Sequence, residues 1–84
     1  MGNNVLVNLD IPAIRENYDL LIPDDVDILS LTQMLANGIR DISSGRYGLS
    51  GKEMLMHRTP DMLFDPARTL WEYGIKDGAT LVLL

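Results

Sequence analysis

A chain of 84 residues can enclose one hydrophobic core and not two, because a domain this small buries only roughly 60% of the surface its unfolded form exposes. Hydrophobic residues make up 46% of the chain and charged ones 23%, the balance of a folded globular domain, which excludes a disordered segment. The formal net charge of -5, with Arg15, Arg40, Arg46, Lys52, Arg58, Arg68 and Lys76 scattered along the chain, makes nucleic acid and anionic lipid poor partners.

Residues 3 to 11 alternate, with Val5, Val7, Leu9 and Ile11 on one face and Asn4, Leu6, Asn8 and Asp10 on the other, which is the period-two pattern of a half-buried strand. Residues 17 to 22 do the same through Tyr18, Leu20 and Ile22, and a hairpin with a loop of several residues after Pro12 joins the two. Pro23, Asp24, Asp25 and Asp27 end that strand and introduce a helix over 28 to 43. Its mark is the recurrence of Ile28, Leu31, Leu35, Ile39 and Ile42 at three- and four-residue spacing, with Met34 beside them. Either Asp27 caps this helix or Ser30 does, in a capping box with Gln33. One apolar stripe calls for one sheet to cover it.

From Ser43 to Gly51 the glycines at 45, 48 and 51 read as a mobile connection. Residues 53 to 58 and 62 to 64 form two short strands around Thr59-Pro60-Asp61. After Asp65-Pro66 an irregular stretch leads to a turn at Asp77-Gly78, and residues 79 to 84 make a last strand. The order strand, strand, helix, strand, strand, strand makes residues 1–84 a single α+β domain, with the helix on one face of one sheet.

The residues of catalysis and metal binding are missing. With no cysteine there are no disulfides or thiolate metal sites, which fits a reducing cytoplasm. No run approaches the ~20 apolar residues of a membrane span, so direct membrane insertion is not expected. The N-terminus has no signal-peptide pattern, and Leu6 stands where myristoylation after Met1-Gly2 wants Ser or Thr. His57 is the only histidine, and it has no partner at the spacing of a metal site or a nucleophile's base. Asp24, Asp25 and Asp27 suit the start of a helix, whose dipole favours negative charge there. Gly45, Gly48, Gly51 and Lys52 fall short of a phosphate loop: Glu53 replaces the Ser or Thr, and the loop leads from a helix to a strand rather than the reverse. No catalytic residue and no cofactor are expected.

Two stretches carry a family likeness. Residues 68 to 84 (RTLWEYGIKDGATLVLL) resemble the closing segment of ubiquitin. The resemblance implies that Leu70 and Ile75 lie in the core and that Tyr73 points inward, its hydroxyl tying down a loop. The whole chain is similar to the YukD/EsaB family, the small ubiquitin-like proteins of bacterial type VII (WXG100) secretion systems. The likeness rests on Tyr18-Asp19-Leu20, Ile22-Pro23, the apolar helix from Ile28, then Tyr73, Ile75, Asp77-Gly78 and the strand Leu81 to Leu84. It departs most over residues 43 to 67.

That resemblance implies a ubiquitin-like β-grasp, one mixed sheet of four to five strands packed on a single helix. It also implies a cytoplasmic, non-enzymatic accessory that touches a type VII secretion membrane component or a regulator by non-covalent contact. A generic ubiquitin-like adaptor unrelated to secretion is the alternative. Covalent modifiers of this fold use a C-terminal Gly-Gly, whereas this sequence reads Leu83-Leu84, so conjugation is not expected.

Strand alternation proposes a contact surface. If Val5, Val7, Leu9, Leu20, Ile22, Met54, Met56, Leu81 and Leu83 face the helix, then Leu6, Leu21, Leu55, His57, Val82 and Leu84 face away from it. Five of those six are apolar, and in the ubiquitin-like strand order they fall on neighbouring strands. Contiguous apolar surface of that kind marks interaction sites. The bland reading is that these are scattered surface residues, or that the middle strand is shifted by one. The same face would equally serve a homodimer. Trp71, in the irregular stretch, either packs over a loop or anchors a partner.

Overall fold

The computed structural model describes residues 4–58 and 61–84. The expected strand start at Asn3, the Met1-Gly2 opening and the Thr59-Pro60 part of the expected turn lie outside these residues. The chain runs through β1 (Asn4–Ile11), β2 (Glu16–Pro23), α1 (Ile28–Ile42), β3 (Leu55–His57), β4 (Met62–Leu63) and β5 (Ala79–Leu83). One sheet holds all five strands in the order β2-β1-β5-β3-β4. β1 and β5 are parallel neighbours at its centre, and the other pairs are antiparallel, so the sheet is mixed as expected.

β1 and β2 join through a tight turn. Pro12 opens a short 3-10 segment, Pro12–Ile14, and Arg15, in the left-handed region at φ 55, reverses the chain so that Ile11 pairs with Glu16. α1 starts where Asp27 accepts a hydrogen bond from the Ser30 amide at 2.9 Å, which decides between the two candidate caps. Its buried face is Ile28, Leu31, Thr32, Leu35, Ala36 and Ile39. Ile42 and Met34 are exposed, so the expected stripe stops one turn short of the helix end.

The core that α1 closes is built from Val5, Val7, Leu9 and Ile11 of β1, Ile22 of β2, and Leu81 and Leu83 of β5, with Leu55, Phe64 and Leu70. Each fully buried aliphatic side chain of this kind contributes roughly 1.5–3 kcal/mol. At the last turn, Gly78 at φ 93 lets its amide donate to the Leu6 carbonyl at 2.8 Å, while Asp77 accepts from the Leu6 amide at 2.8 Å. These two bonds lock the start of β5 to β1.

The segment after α1 corrects an expectation. Residues 43 to 51 read as mobile because of their glycines, yet Tyr47 at their centre is buried at 3% exposure. Ser44 (φ 55) and Gly45 (φ 83) turn the chain back, and the Tyr47 amide donates to the Ser43 hydroxyl at 3.1 Å. The Tyr47 hydroxyl then reaches the Leu84 carbonyl at 3.1 Å, and Arg46 donates to Glu16 at 2.7 Å. An aromatic ring supplies enough apolar burial to pin a loop that glycine alone would leave loose.

Candidate protein-binding surface

The register of β3 decides which residues the sheet shows to solvent. Leu55 pairs with Leu83, Met56 with Val82 and His57 with Leu81, and Leu81 and Leu83 are core residues on the helix side. Leu55 therefore faces the helix, at 2% exposure, and Met56 faces away. The expectation for β3 was one residue out of phase. His57 moves with Leu55 to the helix side, where it is half-buried with its ring 6.2 Å from that of Phe64. Met54, Leu55 and Met56 are all apolar, so alternation within this strand carries no phase.

The outer face has two apolar ends. At one, Leu63, Met56 and Val82 lie side by side across β4, β3 and β5, and the next row holds Met54 and Leu84, joined by a 2.9 Å bond from the Leu84 amide to the Met54 carbonyl. Met54, Leu63 and Leu84 are exposed, and Met56 is half-buried. Val82 faces outward as expected but is only 7% exposed. Arg58, just after β3, and Asp10 of β1 form an ion pair across β5, at the level of Thr80 and Val82.

At the other end Leu6 and Leu21 pair directly across β1 and β2, both exposed. Asn8 and Thr80 are register partners, so Leu6 lies level with Gly78, six residues short of Leu84 along β5. At ~3.3 Å per residue that is roughly 20 Å. Between the ends runs a polar belt of Asn8, Asp10, Asp19 and Thr80, in which Asn8 donates to Asp19 at 3.1 Å. The single patch expected from sequence is thus two patches.

Trp71 lies at the Leu6 end. Its amide donates to the Asp24 carbonyl at 2.9 Å, and its side chain is 57% exposed beside an open cleft of ≈ 440 Å³ that Val5, Lys76 and Asp77 also line. It does not pack down over its loop. The loop is held by Tyr73, whose hydroxyl accepts from the Asp65 amide at 2.8 Å and whose ring rests 4.8 Å from Phe64. Leu70 is fully buried and Ile75 packs against the core, the placements that the ubiquitin resemblance implies.

The residues that sequence reasoning missed are Leu63, together with Met54 and Met56, both of which it had placed inward. Part of their signal was present as the two methionines at 54 and 56, a residue type common at adaptable binding surfaces.

Among the described residues ion pairs join Arg46 to Glu16, Arg58 to Asp10, Arg40 to Asp41, and Arg68 to Asp65 and Glu72. Hydrogen bonds from Tyr18 and then from Arg46 hold the Glu16 carboxyl below its ordinary range. Hydrogen bonds from the Ser50 hydroxyl and amide do the same for Glu53. Among the described residues no group of three or more His, Cys, Asp or Glu side chains comes together as a metal site would. No helix there is long and apolar enough to cross a membrane.

No protein-family model matches the chain, and no curated protein does. Solved structures match over nearly its full length. The crystal structure of the ubiquitin-like domain of PLXNC1 superposes with a TM-score of 0.77 at 16% identity, over 98% of this chain and 98% of that one. The fold is ubiquitin-like. The solution structure of the ubiquitin-like domain of an Arabidopsis thaliana protein gives a TM-score of 0.64 at 18% identity, covering 98% of this chain and 77% of that one. ATBAG1, crystallised in complex with HSP70, gives 0.65 at 18% identity over 95% of this chain and 39% of its own. These identities carry the ubiquitin-like fold and nothing finer.

Proposed function

We propose that this ubiquitin-like domain is a non-covalent protein-binding module whose contact surface is the end of the outer sheet face formed by Met54, Met56, Leu63 and Leu84 around Val82. The observation that carries this reading is the run of outward apolar side chains over three adjacent strands, β4, β3 and β5. Apolar groups gathered in this way lose unfavourable hydration when a partner covers them. The thioethers let the surface adjust to the partner's shape.

The resemblance of the whole sequence to the YukD/EsaB family supports a finer reading, an accessory of type VII secretion in the cytoplasm that touches a membrane component's cytoplasmic domain or a regulator. Leu6, Leu21 and Trp71, at the other end, form a second contact point in this reading. Leu55 and His57 take no part.

Affinity capture of the tagged protein from its native cells, followed by mass spectrometry, tests both levels. Capture of a type VII component that is lost with Met56→Ser and Leu84→Ser together, and only weakened with Leu6→Ser and Leu21→Ser together, is the expected result. Undiminished capture by the first pair would overturn the proposed surface. Capture only of proteins unrelated to secretion would replace the secretion role by a general adaptor. A dimer of the purified protein that the first pair dissociates would make a second copy the occupant.

A further inference from the structure

A cavity of ≈ 220 Å³ opens between the first turns of α1 and the β3–β4 edge of the sheet, at one side of the outer face. Ile28, Leu29, Leu55, Leu63, Phe64 and Pro66 line it. Thr32, also in the wall, spends its hydroxyl on the Ile28 carbonyl at 2.6 Å, so it offers water little. A cavity of about 150 Å³ with aliphatic walls is enough to hold a benzene ring. This one has room for a single large apolar side chain.

Among the described residues the backbone beside it is also left without partners at one position. Met54, Met56 and Arg58 bond toward β5, as the Leu84 amide to Met54 carbonyl and Arg58 amide to Thr80 carbonyl bonds show. Leu55 and His57 must then bond toward β4, and the Phe64 amide does donate to the Leu55 carbonyl at 3.3 Å. By alternation the Leu63 amide and carbonyl between these pairs point out of the sheet edge. No described residue takes them. A free edge donor and acceptor is a template for another strand.

We infer that the β4 edge accepts an extended segment of a partner polypeptide, which pairs with the Leu63 backbone and sends one aromatic side chain into the cavity. Glu53 is the one charged side chain in the wall among the described residues. The Ser50 and Gly51 amides hold it in place. Its carboxylate and the chain's net charge of -5 favour a basic residue two positions from the aromatic one, on the same side of the added strand. This mode takes affinity from main-chain bonds and specificity from the pocket.

The probe is the peptide acetyl-Lys-Thr-Phe-Thr-Lys-amide, titrated into the ¹⁵N-labelled protein. Saturable amide shifts centred on Leu29, Met54 and Leu63 are expected, and replacing the peptide's Phe by Ala should weaken binding roughly tenfold or more. Leu63→Pro removes the outward amide at an edge position that tolerates proline, and should weaken binding roughly fivefold. Leu29→Lys, at an exposed helix position, blocks the cavity mouth and repels the peptide without touching the sheet. No saturable shift at millimolar peptide, shifts centred on β2, or equal binding of the Ala peptide would each overturn the inference. So would indole alone giving the same shifts at the same concentration, because the cavity would then be a site for a free aromatic ligand.

Discussion

On its helix side the sheet presents Val7, Leu9, Leu55, Leu81 and Leu83, and all of them are covered. On its other side, at the β4–β3–β5 end, it presents Met54, Met56, Leu63, Val82 and Leu84, which hold a similar amount of apolar carbon, and only Val82 is buried. The two faces differ little in chemistry there. They differ in what lies over them: α1 covers the first, and across the second runs the ion pair between Arg58 and Asp10, level with Val82. An exposed apolar cluster over three adjacent strands is the feature that the proposed function explains.

Substitutions on adjacent residues of β3 test that comparison most sharply. Leu55→Ala should cost about 3 kcal/mol, from lost burial and the cavity left behind, and lower Tm by roughly 15 °C in a thermal melt. Tyr47→Phe comes next. It keeps the ring in the core and loses the bond to the Leu84 carbonyl, so urea unfolding should show a loss of about 1 kcal/mol. Met56→Ser, one position from Leu55 but on the open face, should change stability by under about 0.5 kcal/mol while reducing partner capture. A Met56→Ser cost as large as that of Leu55→Ala would mean the two faces are not distinct.

The smallest expected effect is with pH. Glu16, Glu53 and Asp27 all have carboxyls held below their ordinary range by hydrogen bonds in the folded chain. A lowered folded value means the folded state binds protons less readily than the unfolded one. The stability these groups add is therefore complete above the ordinary values, 4.5 for Glu and 3.8 for Asp, and lost as the pH falls through the lowered ones. The urea midpoint should stay level down to about pH 4.5 and then decline. Glu16→Gln should make that decline shallower, and only slightly, because all three groups are at least partly exposed to solvent and screened.

The turn at Asp77-Gly78 was legible in the sequence, because it depends on a local pattern of two residues; the helix cap was narrowed to Asp27 or Ser30, and the inward Tyr73 was implied by the resemblance to ubiquitin. The arrangement of the outer face was not. Its residues come from strands far apart in the chain, and the distance between Leu6 and Leu84 depends on β1 and β5 being parallel with Asn8 level with Thr80. Tyr47 was missed for a related reason. Its loop composition spoke for motion, while its burial depends on the Leu84 carbonyl, 37 positions away in the chain.

By itself the sequence determined the α+β class, the single helix and the inward residues of β1 and β5. In β1 apolar and polar residues alternate and in the helix apolar ones recur at helical spacing, while in β5 Thr80 is the one polar residue and sets the phase. Only the tertiary structure decided the phase of β3. Met54, Leu55 and Met56 would each serve on either face, and β3, Leu55–His57, is too short for its one polar residue to fix the phase. The choice was made by the partner strand, where Leu83 was already committed to the core and drew Leu55 in beside it. That commitment turned Met56 outward and gave the sheet its open apolar end.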